Sequence, residues 1–270
     1  MKFGILAPAA AAVALAITGA ARRAITGVPV NLSAARIADL SHSFDEKTIY
    51  WPNAPSGFVL HRESFGKTPA GFFYASNDFC APEHGGTHLD APIHFSEGKW
   101  SVDQISVRQL VGPGVVIDVA RQAAADRDYR LTLDDVRAWE KKHGPVPAAA
   151  IVILRTGWAS RWPDRKAYLG DDTPGRITNL HFPSYGREAA EFLVSVRKVA
   201  AIGVDTASLD YGPSADFIVH RTVLGANVPG LENLTGLEAL PETGFWVIAL
   251  PMKIAGGSGA PLRAIAVLPR

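Results

Sequence analysis

The chain has 270 residues, with 27 lysines and arginines against 26 aspartates and glutamates, for a formal net charge of +1. That length suits one sizeable α/β domain or two small ones, and the charge balance excludes the basic footprint of a nucleic-acid binder or a polyanion partner. Cys80 is the only cysteine, which excludes both an intramolecular disulfide and a thiolate metal cage; a buried, inert thiol is expected there.

Lys2 precedes an apolar run over residues 5–17, followed by Thr18-Gly19-Ala20-Ala21, small residues that suit a signal peptidase. The run is too short for a comfortable membrane span, and Arg22 and Arg23 follow it, unlike a twin-arginine signal. Residues 1–21 therefore read as a signal peptide cleaved near Ala20 or Ala21, with an uncleaved anchor as the alternative. The mature protein is expected to be periplasmic or secreted and to form one domain over residues 25–270.

Val- and Ile-rich apolar runs recur at residues 115–119, 150–154, 199–204, 245–250 and 264–268, each a strand of a buried sheet. Thr132 caps a helix, with Asp135 in capping-box position, Leu133, Val136 and Trp139 on one face, and Gly144 as the stop. A second helix spans residues 187–198, with Ala189, Phe192, Leu193 and Val196 at helical spacing. Few helices among the strands, and long Pro/Gly-rich stretches, predict a mixed α/β fold rather than a doubly wound one. The stretches at residues 50–71 and 157–183 read as irregular segments that shape a site or a subunit contact.

The chemistry concentrates in residues 83–95, EHGGTHLDAPIHF. His84, His88, Asp90 and His94 share even parity, so one extended strand would point them to a single side. That strand would be roughly 33 Å long at about 3.3 Å per residue, far too long for one site. The chain must fold back, and Gly85, Gly86 and Pro92 permit it. Imidazole plus carboxylate suits zinc, manganese or iron and leaves coordination positions open if only three groups bind. A bound divalent ion acidifies water to a usable nucleophile, and an unligated histidine can serve as general acid or base.

The pattern H-x-G-T-H-x-D-x-P-x-H resembles the signature of the cyclase family of metal-dependent hydrolases, which includes bacterial kynurenine formamidase and isatin hydrolase. Asp39-Leu40-Ser41-His42 resembles the family's opening strand and Ile153-Leu154-Arg155-Thr156-Gly157-Trp158 its central one. Ile202-Gly203-Val204-Asp205-Thr206-Ala207-Ser208-Leu209-Asp210 matches a further stretch, and Gly259-Ala260-Pro261-Leu262-Arg263 its closing turn. The resemblance spans essentially the whole mature chain. It implies a single mixed-sheet α/β domain of the swivelling β/β/α type, His84, His88 and Asp90 as primary metal ligands, and His94 as catalytic acid/base. It also implies His220 and Glu232 as ligands of a second ion, with a bridging Asp. Unaided, His220 reads as a solvated loop residue and Glu232 as a helix-start or surface acid.

Asp205 and Asp210 carry two readings, acids that orient a ligand histidine or strand-end turn residues. His42 and His181 read as structural or pocket-lining. Tyr50, Trp51 and Phe58 lie in a loop that the resemblance brings to the substrate, with ordinary packing as the alternative. Gly256-Gly257-Ser258-Gly259-Ala260 superficially resembles a serine-hydrolase elbow but lacks the final Gly and the strand-to-helix context.

The resemblance implies an amidohydrolase that cleaves an aryl formamide or a cyclic amide at C–N, with one or two divalent ions, Zn or Mn, in each subunit of a homodimer or homotetramer. Lactone hydrolysis or a dehydrating cyclisation on the same site is the second reading, and an exported, non-catalytic metal- or solute-binding protein the third. Formamidase-like members read W-P-G-D where this chain has Trp51-Pro52-Asn53-Ala54, a departure that bears on the substrate.

Overall fold

A computed structural model describes residues 32–269; the signal-peptide reading of residues 1–21 lies outside the described residues. The first half of the fold runs β1 (Arg36–Asp39), β2 (Val59–Lys67), β3 (Phe73–Cys80), β4 (His88–Asp90), β5 (Val111–Asp118), α1 (Ala120–Ala125), β6 (Arg130–Leu131) and α2 (Leu133–His143). Then come β7 (Ile151–Arg155), α3 (Arg165–Leu169), β8 (Ser184–Tyr185), α4 (Arg187–Ser195) and β9 (Ala201–Val204). The chain ends with α5 (Ile218–Gly225), β10 (Gly230–Glu232), β11 (Phe245–Pro251) and β12 (Gly259–Leu268).

Eight strands form one mixed sheet in the order β1-β12-β11-β5-β7-β9-β10-β4. The steps from β5 through β7 and β9 to β10 are parallel, and the others are antiparallel. The first three residues of β12 also pair with β4, so the sheet closes on itself. This is the mixed α/β architecture expected, and each of the five apolar runs is a strand of it.

Period-two geometry explains why those runs are apolar throughout. On β7, Ile151 and Ile153 enter one hydrophobic cluster, enclosed by β4, β11 and β12 through Leu89, Val247 and Ala264. Val152 and Leu154, facing the other way, pack with Val136 and Trp139 of α2, Leu193 of α4 and Val223 of α5. Both faces of the strand are buried, so no polar alternation survives.

Thr132 caps α2 as expected: its hydroxyl accepts from Asp135 N–H and the Asp135 carboxylate accepts from Thr132 N–H. Helix α4 stops at Ser195 rather than at residue 198. The N–H groups of Val196 and Arg197 both return to Phe192 O, and Lys198 adopts a left-handed φ of 55°. The first strand, β1, ends at Asp39, and Ser41 beyond it forms a bridge with Leu234.

Two expectations fail in the segment before β4. Part of the stretch at residues 50–71 is strand β2, which pairs with β3 as a hairpin outside the main sheet. Both strands are exposed on both faces, so the alternating pattern that marks a half-buried strand never develops. Cys80, expected to be buried, ends β3 and is exposed. The stretch at residues 157–183 is also structured: it contributes α3 and a third core of Trp158, Tyr168, Leu169, Leu180 and Phe182 packed with Ile49.

Candidate metal centre

Strand β4 lies between β10 and β12, with His88 opposite Glu232 and Asp90 opposite Gly230. Directly opposed residues project to the same side of a sheet, so this register delivers the Glu232 carboxylate beside His88. The approach to β4 is made by Gly86 at a left-handed φ of 55°, where an added Cβ would lie 2.6 Å from the Phe44 ring. Gly86 O accepts from His88 Nδ1–H at 3.0 Å and from Asn233 Nδ2 at 2.7 Å. Thr87 donates to Asn233 O and accepts from His42 N–H, fastening the segment on both sides.

Asp90 stands at the centre. Its Oδ1 lies 2.7 Å from His84 Nδ1 and 3.2 Å from His88 Nε2, while its Oδ2 lies 3.1 Å from His220 Nε2. Glu232 approaches His220 Nε2 at 3.1 Å and His88 Nε2 at 3.5 Å. Two triads result, His84–His88–Asp90 and Asp90–His220–Glu232, each with ligand atoms within 4.8 Å of one another. All five residues except His84 are buried. The solvated-loop reading of His220 and the surface reading of Glu232 are therefore corrected: His220 is buried on α5 and Glu232 on β10. A short helix and a three-residue strand carry too little pattern to announce that burial.

The electrostatics ask for positive charge. Burial disfavours protonated His88, yet Asp90 and Glu232 raise it to about 9. His220 is likewise raised against its own burial by Asp210, Asp90 and Glu232. Burial and the Asp90 charge push the Glu232 carboxyl up, while the surrounding imidazoles hold Asp90 well below the usual carboxylate range despite its burial. Two carboxylates buried together draw protons onto their neighbours where a cation would serve. His88 Nε2 is also left without a hydrogen bond. The donor set, buried and aimed inward, fits divalent ions bound through nitrogen and oxygen.

Asp210 holds His220 in register. Its Oδ2 accepts from His220 Nδ1–H at 2.7 Å and from the His220 backbone N–H at 3.0 Å, leaving Nε2 free to face Asp90 and Glu232. Asp205 serves the turn instead, accepting from the N–H groups of Thr156, Gly157 and Trp158. His42 stacks on Trp162, and His181 pairs with Asp128.

His94 ends a 3-10 turn begun by Pro92 just beyond β4. It joins neither triad, stacks on His84, and is lowered to about 4 by burial, so it stands as a neutral imidazole. A cavity of about 340 Å³ opens over the cluster. All five triad residues and His94 line it, with aromatic walls from Tyr50, Trp51, Phe95 and Phe217. Phe58 is not on the wall; it packs against Phe44 and Phe79 at the base of the hairpin. Sequence reasoning missed Phe95 and Phe217: an aromatic next to His94 or at a helix start has no spacing that separates a wall from a core.

Residues 38–211 match the family model described as "Putative cyclase". An isatin hydrolase of Roseibium aggregatum is 37% identical over 208 residues, covering 74% of this chain and 77% of that protein. A kynurenine formamidase of Sphingopyxis alaskensis is 30% identical over 231 residues, covering 86% and 97%. The chain belongs to the cyclase family of metal-dependent hydrolases. Among solved structures, isatin hydrolase A from Ralstonia solanacearum superposes with a TM-score of 0.79 at 36% identity, covering 87% of this chain and 93% of that one. His220 and Glu232 lie beyond the segment matched by the family model, so their place in the cyclase-family site rests on the geometry above. Among the described residues no helix is long and apolar enough to cross a membrane.

Proposed function

We propose that this enzyme opens a small cyclic amide carried on an aromatic ring, using two divalent ions, zinc or manganese, and His94 as the proton-transfer group. The reaction class follows from the family: a metal-dependent hydrolase of amide C–N bonds other than peptide bonds. One observation carries the finer reading. Asp90 divides its two oxygens between two triads on the cavity wall, and His94 stands beside them outside both.

His84, His88 and Asp90 would hold one ion, and Asp90, His220 and Glu232 the other. An ion there supplies a Lewis acid that polarises the carbonyl and makes a nearby water a stronger acid. The aromatic walls receive the substrate ring and keep bulk water from the reacting carbonyl. His94, neutral because it is buried, accepts the proton of the attacking water and returns it to the departing amide nitrogen.

The cavity wall favours a cyclic amide over an amino-acid formamide. Ala54 lies on that wall where formamidase-like members commonly carry an acid, and among the described residues the only carboxylates lining the cavity are Asp90 and Glu232. A substrate bearing an ammonium group would find no free partner. Metal analysis of the purified protein, followed by kcat/KM for isatin, N-formylkynurenine, cyclic imides and lactones, tests the reading. Preference for cyclic amides supports it; turnover of lactones alone would sink it. Export, supported by the apolar leader at residues 5–17, is tested by N-terminal sequencing of the secreted or periplasmic protein. A homodimer or homotetramer, supported by the exposed aromatic residues Phe65, Phe73 and Phe79 of the hairpin, is tested by light scattering.

A further inference from the structure

The three histidines of the triads differ in how their outward-facing nitrogen is held. His88 and His220 each donate Nδ1–H to an oxygen that can only accept, Gly86 O and Asp210 Oδ2. His84 instead meets a hydroxyl: its Nε2 lies 2.9 Å from Ser258 Oγ, in the run Gly256-Gly257-Ser258-Gly259 that is no nucleophile elbow. A hydroxyl can donate or accept, so by itself it would leave the imidazole tautomer undecided.

Glu83 decides it. Its Oε2 accepts from the Ser258 hydroxyl at 2.6 Å and from the backbone N–H groups of Ser258 at 2.9 Å and Gly259 at 3.2 Å. The single hydroxyl proton is thereby committed to Glu83, and Ser258 Oγ is left to accept from His84 Nε2–H. With Nε2–H given to Ser258, His84 Nδ1 is the nitrogen open to an ion, 2.7 Å from the Asp90 Oδ1 that the same ion would share; without an ion that short contact is a hydrogen bond from Nδ1–H to the carboxylate. The backbone reinforces the arrangement. Ser258 O accepts from Ala91 N–H at 2.8 Å, and a Cβ on Gly259 would lie 2.5 Å from His84 Cε1, so only glycine lets the turn close over the ring.

We infer that Ser258, oriented by Glu83, is a positioning residue that locks His84 in the Nε2–H tautomer and presents Nδ1 to the metal. The inference rests on the metal-hydrolase reading above. The contacts Ser258–His84–Asp90 are also those of a serine nucleophile with its base and acid. Here, however, the hydroxyl proton points to Glu83 rather than to the imidazole, and Ser258 is absent from the cavity wall.

The test uses the full chain with Zn²⁺ as probe for the spectra and Mn²⁺ as probe for affinity. Nitrogen-15 spectra of histidine-labelled, Zn²⁺-loaded protein report each tautomer, and calorimetry reports Mn²⁺ affinity. Ser258→Ala should convert His84 from a single Nε2–H form to a mixture and weaken Mn²⁺ binding at its site about 10–100-fold. Glu83→Ala, which keeps the hydroxyl, should act in the same direction and add little in the double variant. His88 and His220 resonances should stay in place, showing that the fold is intact. An unchanged His84 tautomer and wild-type Mn²⁺ affinity in Ser258→Ala would overturn the inference. Turnover lost with both unchanged would overturn it too, in favour of a nucleophilic serine. A wild-type chain that binds neither Mn²⁺ nor Zn²⁺ would instead remove the metal reading, whereas a chain that binds them and keeps its His84 tautomer without Ser258 would overturn this inference alone.

Discussion

His94 lies face to face with His84, their ring centroids 3.7 Å apart and their planes 18° from parallel. The ring proposed for proton transfer is thus held by a proposed ligand ring, and its distance from the two triads is set by packing. Phe95 and His220 close the other sides of His94 at 4.6 and 6.2 Å.

Replacing His94 by Ala should lower kcat by roughly 10²–10⁴ while metal content stays at the wild-type value. Kinetics paired with elemental analysis of the same preparation checks this. Wild-type turnover in the variant would remove His94 from the chemistry.

Metal removal should destabilise the fold, because Asp90 and Glu232 are then left buried together. Returning Mn²⁺ or Zn²⁺ at about 100 times Kd should add about 2.7 kcal/mol, a rise in Tm on the order of 5–10 °C for a chain of this size. Calorimetry with and without chelator measures it. Burial notwithstanding, Asp90 and Glu232 hold His88 protonated up to about 9, so binding near neutral pH should release protons and tighten as pH rises.

Trp51 closes one wall of the cavity and packs on Phe182 and Phe217, with ring centroids 6.4 and 6.2 Å away. Trp51→Ala should raise KM for an aromatic cyclic amide about 10-fold, on the order of 1–1.5 kcal/mol of lost ring contact, with kcat changed far less. A fall in kcat at constant KM would place Trp51 in the chemical step instead.

His42 supplies a pH signature distant from the chemistry. Its ring stacks on Trp162 at 4.1 Å, its Nε2 has no partner, and burial lowers it to about 4. Below pH 6.5 the unfolded chain takes up the proton first, so this contribution to stability is complete above 6.5 and is lost as pH falls toward 4. His42→Phe, which keeps the stack, should flatten that part of the stability profile in urea titrations from pH 7 to 4. An unchanged acid limb would assign the loss to other groups.

The ends of α2 and the five core strands were legible because their causes are local. Thr132, Asp135 and Gly144 lie within a few residues of the ends they define, and a strand buried on both faces is apolar throughout. The β2–β3 hairpin was not legible because neither of its faces is buried. Cys80 was misread for a related reason: a thiol's usual burial is a tendency of cores, and Cys80 sits on an exposed arm.

The sequence by itself determined the candidate ligand types and their local geometry, since His84, His88 and Asp90, with His94 beside them, lie on one short strand and its two bends. Only the tertiary structure decided what completes them. His220 comes to Asp90 from 130 residues away, and Glu232 reaches His88 because β10 pairs with β4 in one register. A slip of one residue would turn Glu232 to the opposite side of the sheet. No local pattern encodes that register; the packing of the whole closed sheet does. The same closure brings Ser258 to His84 and Asp210 to His220, so the protons that set each imidazole's working nitrogen are placed by chain segments far apart in sequence.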